Sequence, residues 1–325
     1  MATARRTGEA IEASDHDELI RIVADHCRTR DWPALLELRT LLAHAGARGK
    51  ELWGVDAHVR YRLALEAPAE LAAAAVLEGP ARFALGPLTE VAANRHTFAE
   101  LEAHLPPGPE RLQVAAERVV AGETIGDDSM DATRLELPLA LQPWEPSYSL
   151  PRYQADRVES HPPPLPSLSP IDLSDPGVEV DDPEGTRAML ALVSAWVEES
   201  NGRADARCVE GDAGSAVRSL GPSRARMAAV APATAVAWMA WAAASGGAHG
   251  RRRGGAAGRA AAWWVISSLG DLDWPADPEQ AAGQVARLRW YAWSDLAPPT
   301  GWNLGLAIED RDEGLAWALS GLDSA

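Results

Sequence analysis

Apolar residues recur at helical spacing through most of residues 15–121. The first run places Leu19 and Val23 on one face of a helix that Ser14 can cap, and several similar runs follow, separated by glycine or proline. We therefore predict an all-α N-terminal domain over residues 15–121. The polar residues 1–14 before it are predicted to form a disordered N-terminus.

Short helices joined by tight breaks resemble the helical hairpins of HEAT-like and tetratricopeptide arrays. Gly46 and Gly49 mark one such break between two apolar runs. No fixed repeat period is present, so helical hairpins, a bundle and an irregular repeat all remain open. The resemblance implies a surface on which a protein partner docks.

Residues 122–185 have a different composition. Eleven of the 24 prolines and 14 acidic residues, against three arginines, fall in this stretch. Four leucines alternate within it: Leu135, Leu137, Leu139 and Leu141. The alternation predicts a strand at a sheet edge, because Pro138 cannot donate a ladder hydrogen bond. We predict an acidic, proline-rich connector that is partly extended, with a true linker at 158–182.

Residues 186–325 contain ten of the 13 tryptophans. Helical and alternating patterns are mixed here, which is typical of an α+β domain. Strands are predicted at 203–210, 224–230, 289–293 and 302–308, with tryptophan-rich helices between them. A closing helix is predicted at 313–322, with Asp312 as its N-cap. The predicted fold is thus a two-domain protein whose C-terminal domain has a small sheet.

Composition excludes some function classes. Alanine (63 residues) and arginine (29) are abundant, but Lys50 is the only lysine, and its neighbours lack the spacing of a phosphate-binding P-loop. A P-loop ATPase is therefore excluded. The net charge is −17, and residues 122–185 carry −11 of it. Because no region has a basic stripe, we expect no nucleic-acid partner.

The same features bear on location. The uncharged stretch between Arg226 and Arg251 is mostly alanine and glycine and contains Pro232, so a buried helix fits it better than a membrane span. The N-terminus lacks the apolar core of a secretory signal. Cys27 and Cys208 show no pairing pattern. We expect a cytoplasmic protein with reduced thiols and no membrane contact.

The segment 245–259 is rich in glycine and arginine. Free backbone amides at a helix N-terminus beside guanidinium groups favour a phosphate or carboxylate. The candidate anion-binding residues are Arg251, Arg252, Arg253, Gly254, Gly255 and Gly258. Arg251-x-x-Gly254-x-Ala256 resembles the pyrophosphate loop of GCN5-related acetyltransferases. That resemblance implies a strand before the loop and acetyl-CoA as cofactor, whereas the alternative is a solvated turn between two helices.

Tryptophans are the second candidate feature. Trp238 and Trp241 lie three residues apart on a predicted helix, and Trp263 and Trp264 begin the next one. Their rings could line a pocket for an apolar or planar ligand, or pack as a hydrophobic core.

No catalytic or metal-binding motif is present. The eight histidines are scattered and match no zinc spacing, and neither a nucleophile elbow nor a dinucleotide fingerprint occurs. We therefore expect a non-catalytic interaction or scaffold protein that uses the helical hairpins of residues 15–121 and needs no cofactor or metal. The alternative is a binder of a phosphate-bearing cofactor, of the CoA or nucleotide type, or an acyl transferase, acting through 245–259.

Two blocks, residues 241–253 and 288–293, resemble uncharacterised conserved proteins of high-GC bacteria. This resemblance extends over most of the chain and implies no activity.

Overall fold

The chain forms two compact units in a computed structural model that describes residues 2–126, 136–173, 175–297 and 300–324. The helical unit comprises Met1–Arg118 and Arg152–Glu159. The sheet unit comprises Val119–Pro151 and Ser160–Ala325. The stretch predicted as a connector, 122–185, is thus divided between the two units.

Eight helices make up most of the helical unit among its described residues. They are α1 (Ala2–Ala13), α2 (His16–Thr29), α3 (Trp32–Ala47), α4 (Trp53–Glu66), α5 (Ala69–Leu77), α6 (Leu88–Arg95), α7 (Phe98–Glu102) and α8 (Pro109–Val120). A short antiparallel pair, β1 (Arg152–Tyr153) and β2 (Val158–Glu159), completes it.

Side-chain caps explain where several of these helices begin. Asp15 and Asp31 accept hydrogen bonds from the first turns of α2 and α3, and Thr97 and Glu100 form a capping box at α7. The predicted disorder of residues 1–14 is corrected, since α1 occupies most of this segment. It is held because Ile11 is buried in the core of α2, α3 and α4.

The sheet unit is built on seven antiparallel strands in the order β3-β6-β7-β8-β9-β5-β4. The strands are β3 (Ser169–Asp172), β4 (Val178–Glu179), β5 (Arg203–Glu210), β6 (Arg224–Val230), β7 (Arg289–Ser294), β8 (Trp302–Asp310) and β9 (Leu315–Asp323). The predicted strands β5, β6, β7 and β8 are confirmed. The prediction of a small sheet was wrong.

Helices cover both faces of the sheet. One face packs against α9 (Pro183–Ala191), α10 (Ser194–Glu198), α12 (Pro232–Ala244), α13 (Gly255–Leu269) and α14 (Pro278–Arg287). The other face packs against α11 (Ala213–Ser219). Residues alternate between the two cores along each strand: Leu304 and Leu306 of β8 face α12 and α13, and Ala307 faces α11.

The predicted C-terminal helix at 313–322 is instead strand β9. Its alanines and leucines favour a helix locally, but β9 pairs along its length with both β8 and β5. Asp312 therefore caps no helix. Asp310 accepts the backbone N–H groups of Asp312 and Glu313 in the turn between β8 and β9. Pairing with two neighbours outweighed helix propensity, which is a weak local preference.

The predicted linker at 158–182 supplies β2 and both edge strands of the sheet, β3 and β4. The predicted leucine strand falls partly outside the described residues, since Leu135 is not described, and residues 136–141 form no strand. Leu137, Trp144 and Tyr148 pack instead against the core under α13. No helix in the described part of the chain is both long and apolar enough to cross a membrane.

Candidate ligand-binding cleft at the open end of the sheet

A cleft of about 500 Å³ opens beside strands β7 and β8. The paired register of the two strands ends at Ala292 and Leu306. The apolar lining of the cleft is Pro162, Pro163, Leu165, Leu168, Trp238, Trp241 and Trp293, and the remaining lining is Arg226, Ser294, Asn303 and Gly301. We call this site the tryptophan cleft. Its volume lies within the usual range for small-molecule sites, about 300–1,000 Å³.

Helix α12 supplies one wall of the tryptophan cleft. Trp238 and Trp241 lie three residues apart and therefore share a face of the helix. The ring of Trp241 stacks on Trp302 at 5.0 Å between centroids with 12° between the planes, and Trp196 meets both rings edge-on. Such contacts hold the indoles in fixed orientations. The sequence left two interpretations open for these rings, a ligand pocket or a hydrophobic core. In the structure, Trp238 and Trp241 belong to the core of the sheet unit and also line the cleft.

Trp293 borders the cleft, but its indole packs in the α11 core on the other face of the sheet. Its Nε1 donates to the backbone oxygen of Leu319 at 3.1 Å, and the indole lies over Gly305 of β8. A Cβ on Gly305 would fall 2.1 Å from the Trp293 backbone oxygen. Glycine is therefore required where β7 and β8 approach this closely.

One cationic side chain stands at the cleft. Arg226 and Ser294 are direct partners across β6 and β7, so their side chains share a face of the sheet. Ser294 donates from Oγ to the Asp295 backbone oxygen at 3.1 Å. Arg226 is exposed and makes no side-chain hydrogen bond or ion pair with a described residue. A guanidinium beside the indoles of Trp238 and Trp241 provides a place for an anionic group on an apolar ligand.

The proline-rich residues 161–168 form the opposite wall. At one end, the Ser160 backbone oxygen accepts from Trp241 Nε1 at 3.4 Å, and Ser160 Oγ accepts from Arg252 Nη1 at 3.1 Å. At the other end the chain enters β3, which pairs with β6. A segment that composition assigned to a linker thus shapes the cleft.

The predicted anion loop has its own partners. Glu199 accepts the Arg251 backbone N–H at 3.1 Å and the Arg253 guanidinium at 3.0 Å, while Asp323 accepts the Ala248 backbone N–H at 2.6 Å. The Arg252 guanidinium donates to Ser160, whereas that of Arg253 donates to Glu199. The carboxylates that accept hydrogen bonds from this loop are thus side chains of the protein itself, Glu199 and Asp323.

The loop's glycines have separate roles. Gly254, at φ 102°, is the N-cap of α13, and Gly255 is the first residue of that helix. Gly258 lets α13 approach α12, because a Cβ there would lie 2.2 Å from the Ala240 oxygen. The segment before the loop is helix α12, not the strand that the acetyltransferase resemblance implied.

Titratable groups elsewhere are shifted by burial. Desolvation raises the pKa of Cys27 to about 11 and that of Cys208 to about 12, and it lowers the pKa of His58 to about 4. Both thiols are therefore protonated at neutral pH. Among the described residues, no group of three or more His, Cys, Asp or Glu side chains is placed to hold a metal ion.

Sequence reasoning found Trp238 and Trp241 but missed Arg226, Ser294 and residues 161–168. These residues come together because β6 pairs with β7 and with β3, and the local sequence pattern does not show which strands pair.

Comparison with known proteins identifies a family whose function is unknown. No curated protein and no solved structure matches the chain. Residues 17–324 match a family of unknown function, DUF6183. Since the match extends over nearly the whole chain, the protein belongs to the DUF6183 family.

Proposed function

We propose that the sheet unit binds a small organic anion with a planar apolar body in the tryptophan cleft. The observation that carries this proposal is the guanidinium of Arg226, which has no side-chain partner among the described residues and lies on a 500 Å³ cleft whose wall contains the indoles of Trp238 and Trp241. The indoles supply flat apolar contact, and the guanidinium supplies a bidentate partner for a carboxylate or phosphate.

The fixed rings favour binding. Stacking of Trp241 on Trp302 orients the α12 wall before a ligand arrives. A preorganised site avoids the entropy of ordering side chains on binding. The Gly/Arg loop is less suited to an external anion, because Glu199 and Asp323 already accept its donors.

The proposal is tested by calorimetric titration with indole-3-acetate and its neutral amide, indole-3-acetamide. We expect Arg226→Gln to weaken binding of the carboxylate about tenfold, equivalent to about 1.4 kcal/mol, and to leave the amide unchanged. Arg224→Gln is the matched control, because Arg224 lies on the same strand but pairs with Asp172 at 2.7 Å outside the cleft.

Trp241→Ala should weaken both probes, since it removes a wall of the cleft. Two results would overturn the proposal: neither probe binds the wild-type protein, or Arg226→Gln and Arg224→Gln change the affinity for the carboxylate equally.

We propose docking of a protein partner on the helical unit as a second function. The observation that favours it is an exposed aromatic pair: Trp53 is 58% and Phe83 49% exposed, and their ring centroids lie 4.2 Å apart. Leu36, Leu41 and Leu77 are exposed on the same unit. Large exposed aromatic residues are typical anchors of protein interfaces.

A comparison of full-length variants tests this second function. We expect a cross-linked partner that the wild-type chain recovers from its native cells to be lost in Trp53→Ser/Phe83→Ser. It should be retained in Val178→Ser, which alters an exposed apolar residue of the sheet unit. Recovery of the same partner by all three chains would exclude the aromatic pair as the docking site.

A further inference from the structure

The opposite face of the sheet carries a second opening at the same end. Arg203 of β5 and Asn303 of β8 are both register partners of Leu322 on β9, so these three side chains form one row across three strands. The row lies on the face covered by α11, because Val209, Ala307 and Ala318 at equivalent positions pack in the α11 core. Arg203 and Asn303, 100 positions apart in sequence, thus lie in one row on either side of Leu322.

Two adjoining cavities lie along this row. The larger, of about 420 Å³, is mainly polar and includes Asn201, Thr300, Asn303 and Ser324 in its lining. The smaller, of about 240 Å³, is lined in part by Leu220, Pro222 and Trp293. Arg203 and Asp295 line both, and therefore stand where the polar and the apolar compartments meet.

These two charged side chains have opposite signs. Neither Arg203 nor Asp295 makes a side-chain hydrogen bond or ion pair with a described residue. Arg207, four residues further along β5, differs in this respect, since it pairs with Glu179 at 2.8 Å and with Asp205 at 3.4 Å. The open end of the sheet therefore keeps one guanidinium and one carboxylate available in a shared cavity.

A third carboxylate at this end of the sheet faces the other way. Asp323 follows Leu322 on β9, so its side chain lies on the opposite face of the sheet. Its Oδ2 accepts the Ala248 backbone N–H there, and the residue is only 2% exposed. Arg203 and Asp295 are therefore the charged side chains that the two cavities share.

We propose that these cavities bind a zwitterionic amino acid with an apolar side chain. Arg203 pairs with the ligand's carboxylate, Asp295 pairs with its ammonium group, and the apolar side chain enters the compartment of Leu220, Pro222 and Trp293. A ligand with one sign of charge satisfies one of the two groups and is repelled by the other. The side chain of Arg226 lies on the other face of the sheet, whereas Trp293 and Asn303 border both this site and the tryptophan cleft.

The test uses saturation-transfer NMR and calorimetry on the full chain. The probes are L-phenylalanine and L-leucine, together with N-acetyl-L-phenylalanine, which lacks the ammonium, and L-phenylalaninamide, which lacks the carboxylate. We expect each blocked analogue to bind about fivefold more weakly than L-phenylalanine, as for loss of one solvent-exposed ion pair.

Variants assign the two charges. Arg203→Gln should weaken L-phenylalanine about fivefold without further weakening the amide, and Asp295→Asn should do the same relative to the N-acetyl form. Arg207→Gln is the matched control that should leave all affinities unchanged. All titrations are repeated in the Arg226→Gln background, which removes the cation of the tryptophan cleft, so that carboxylate binding in that cleft does not contribute to the measured affinities.

The proposal is overturned if neither amino acid binds at about 10 mM, roughly ten times a millimolar dissociation constant. It is equally overturned if the blocked analogues bind as tightly as L-phenylalanine, or if the Arg203 and Asp295 variants behave as the controls do.

Discussion

Arg259 and Glu145, 114 residues apart in sequence, form a bidentate ion pair with both distances at 2.7 Å. The side chains are 3% and 0% exposed. Arg259 also donates to the backbone oxygens of Pro138 and Ala140, and Tyr148 donates to Glu145. This network ties residues 136–148 to α13, next to the contact of Trp144 with Trp263 at 4.8 Å.

We predict that Arg259→Met destabilises the sheet unit by about 3–5 kcal/mol, because it leaves the Glu145 carboxylate buried without its cation. Glu145→Gln/Arg259→Met should be less destabilised than the single variant, since no uncompensated charge remains. Urea unfolding followed by tryptophan fluorescence measures both. Equal losses in the single and double variants would show that packing of Arg259, not its charge, dominates.

The ion pair of Glu145 with Arg259 also predicts that the stability of the sheet unit depends on pH. Burial raises the pKa of Glu145, but hydrogen bonding and attraction to Arg259 outweigh it and hold the pKa below its usual value. The stability that Glu145 contributes is therefore present above the unfolded pKa and is lost as pH falls through the folded pKa. Stability curves below about pH 4 should steepen in the wild type relative to Glu145→Gln.

His58 predicts a pH effect in the helical unit. Burial, reinforced by Arg62, lowers its pKa to about 4, so the unfolded chain binds more protons between about pH 6.5 and 4. Stability should fall across this window by at most about 1.4 kcal/mol per pH unit. His58→Gln should flatten the decline in urea midpoints measured from pH 7 to 4. An unchanged decline would mean that His58 titrates normally.

Two helical glycines of the sheet unit should respond oppositely to alanine. In Gly258→Ala the new Cβ meets the Ala240 oxygen at 2.2 Å, so α12 and α13 must move apart, at a cost of about 1–3 kcal/mol. In Gly283→Ala the Cβ meets nothing within 4 Å, and the variant should gain about 0.5–1 kcal/mol from helix propensity. Thermal melts compare the two, and destabilisation of both would contradict the packing explanation.

The thiols should be unreactive in the folded protein. Cys27 and Cys208 are 3% and 1% exposed, and desolvation raises the pKa of Cys27 to about 11 and that of Cys208 to about 12. We expect a disulfide reagent at pH 8 to modify neither thiol natively and both in denaturant. Rapid reaction of one thiol in native buffer would identify a local opening of its unit.

Local pattern determined much of the fold. Two kinds of local signal lie within single elements. One is the helical spacing of α3 and α7, with Asp31 and Thr97 as their caps, and the other is the alternation at 203–210 and 302–308. Amphipathic periodicity is a property of contiguous residues, so it can be read without knowing the partners. The presence of Trp238 and Trp241 on one helical face followed from the same kind of information.

Only the tertiary structure decided the rest. Residues 315–323 became a strand because β8 and β5 flank them, and the proline-rich residues 161–172 became a cleft wall and an edge strand because β6 offered an unpaired edge. Arg226 and Ser294 meet through strand register that joins distant segments, and the same register places Arg203 and Asn303 on either side of Leu322. Such contacts depend on non-local pairing, which no window of neighbouring residues encodes.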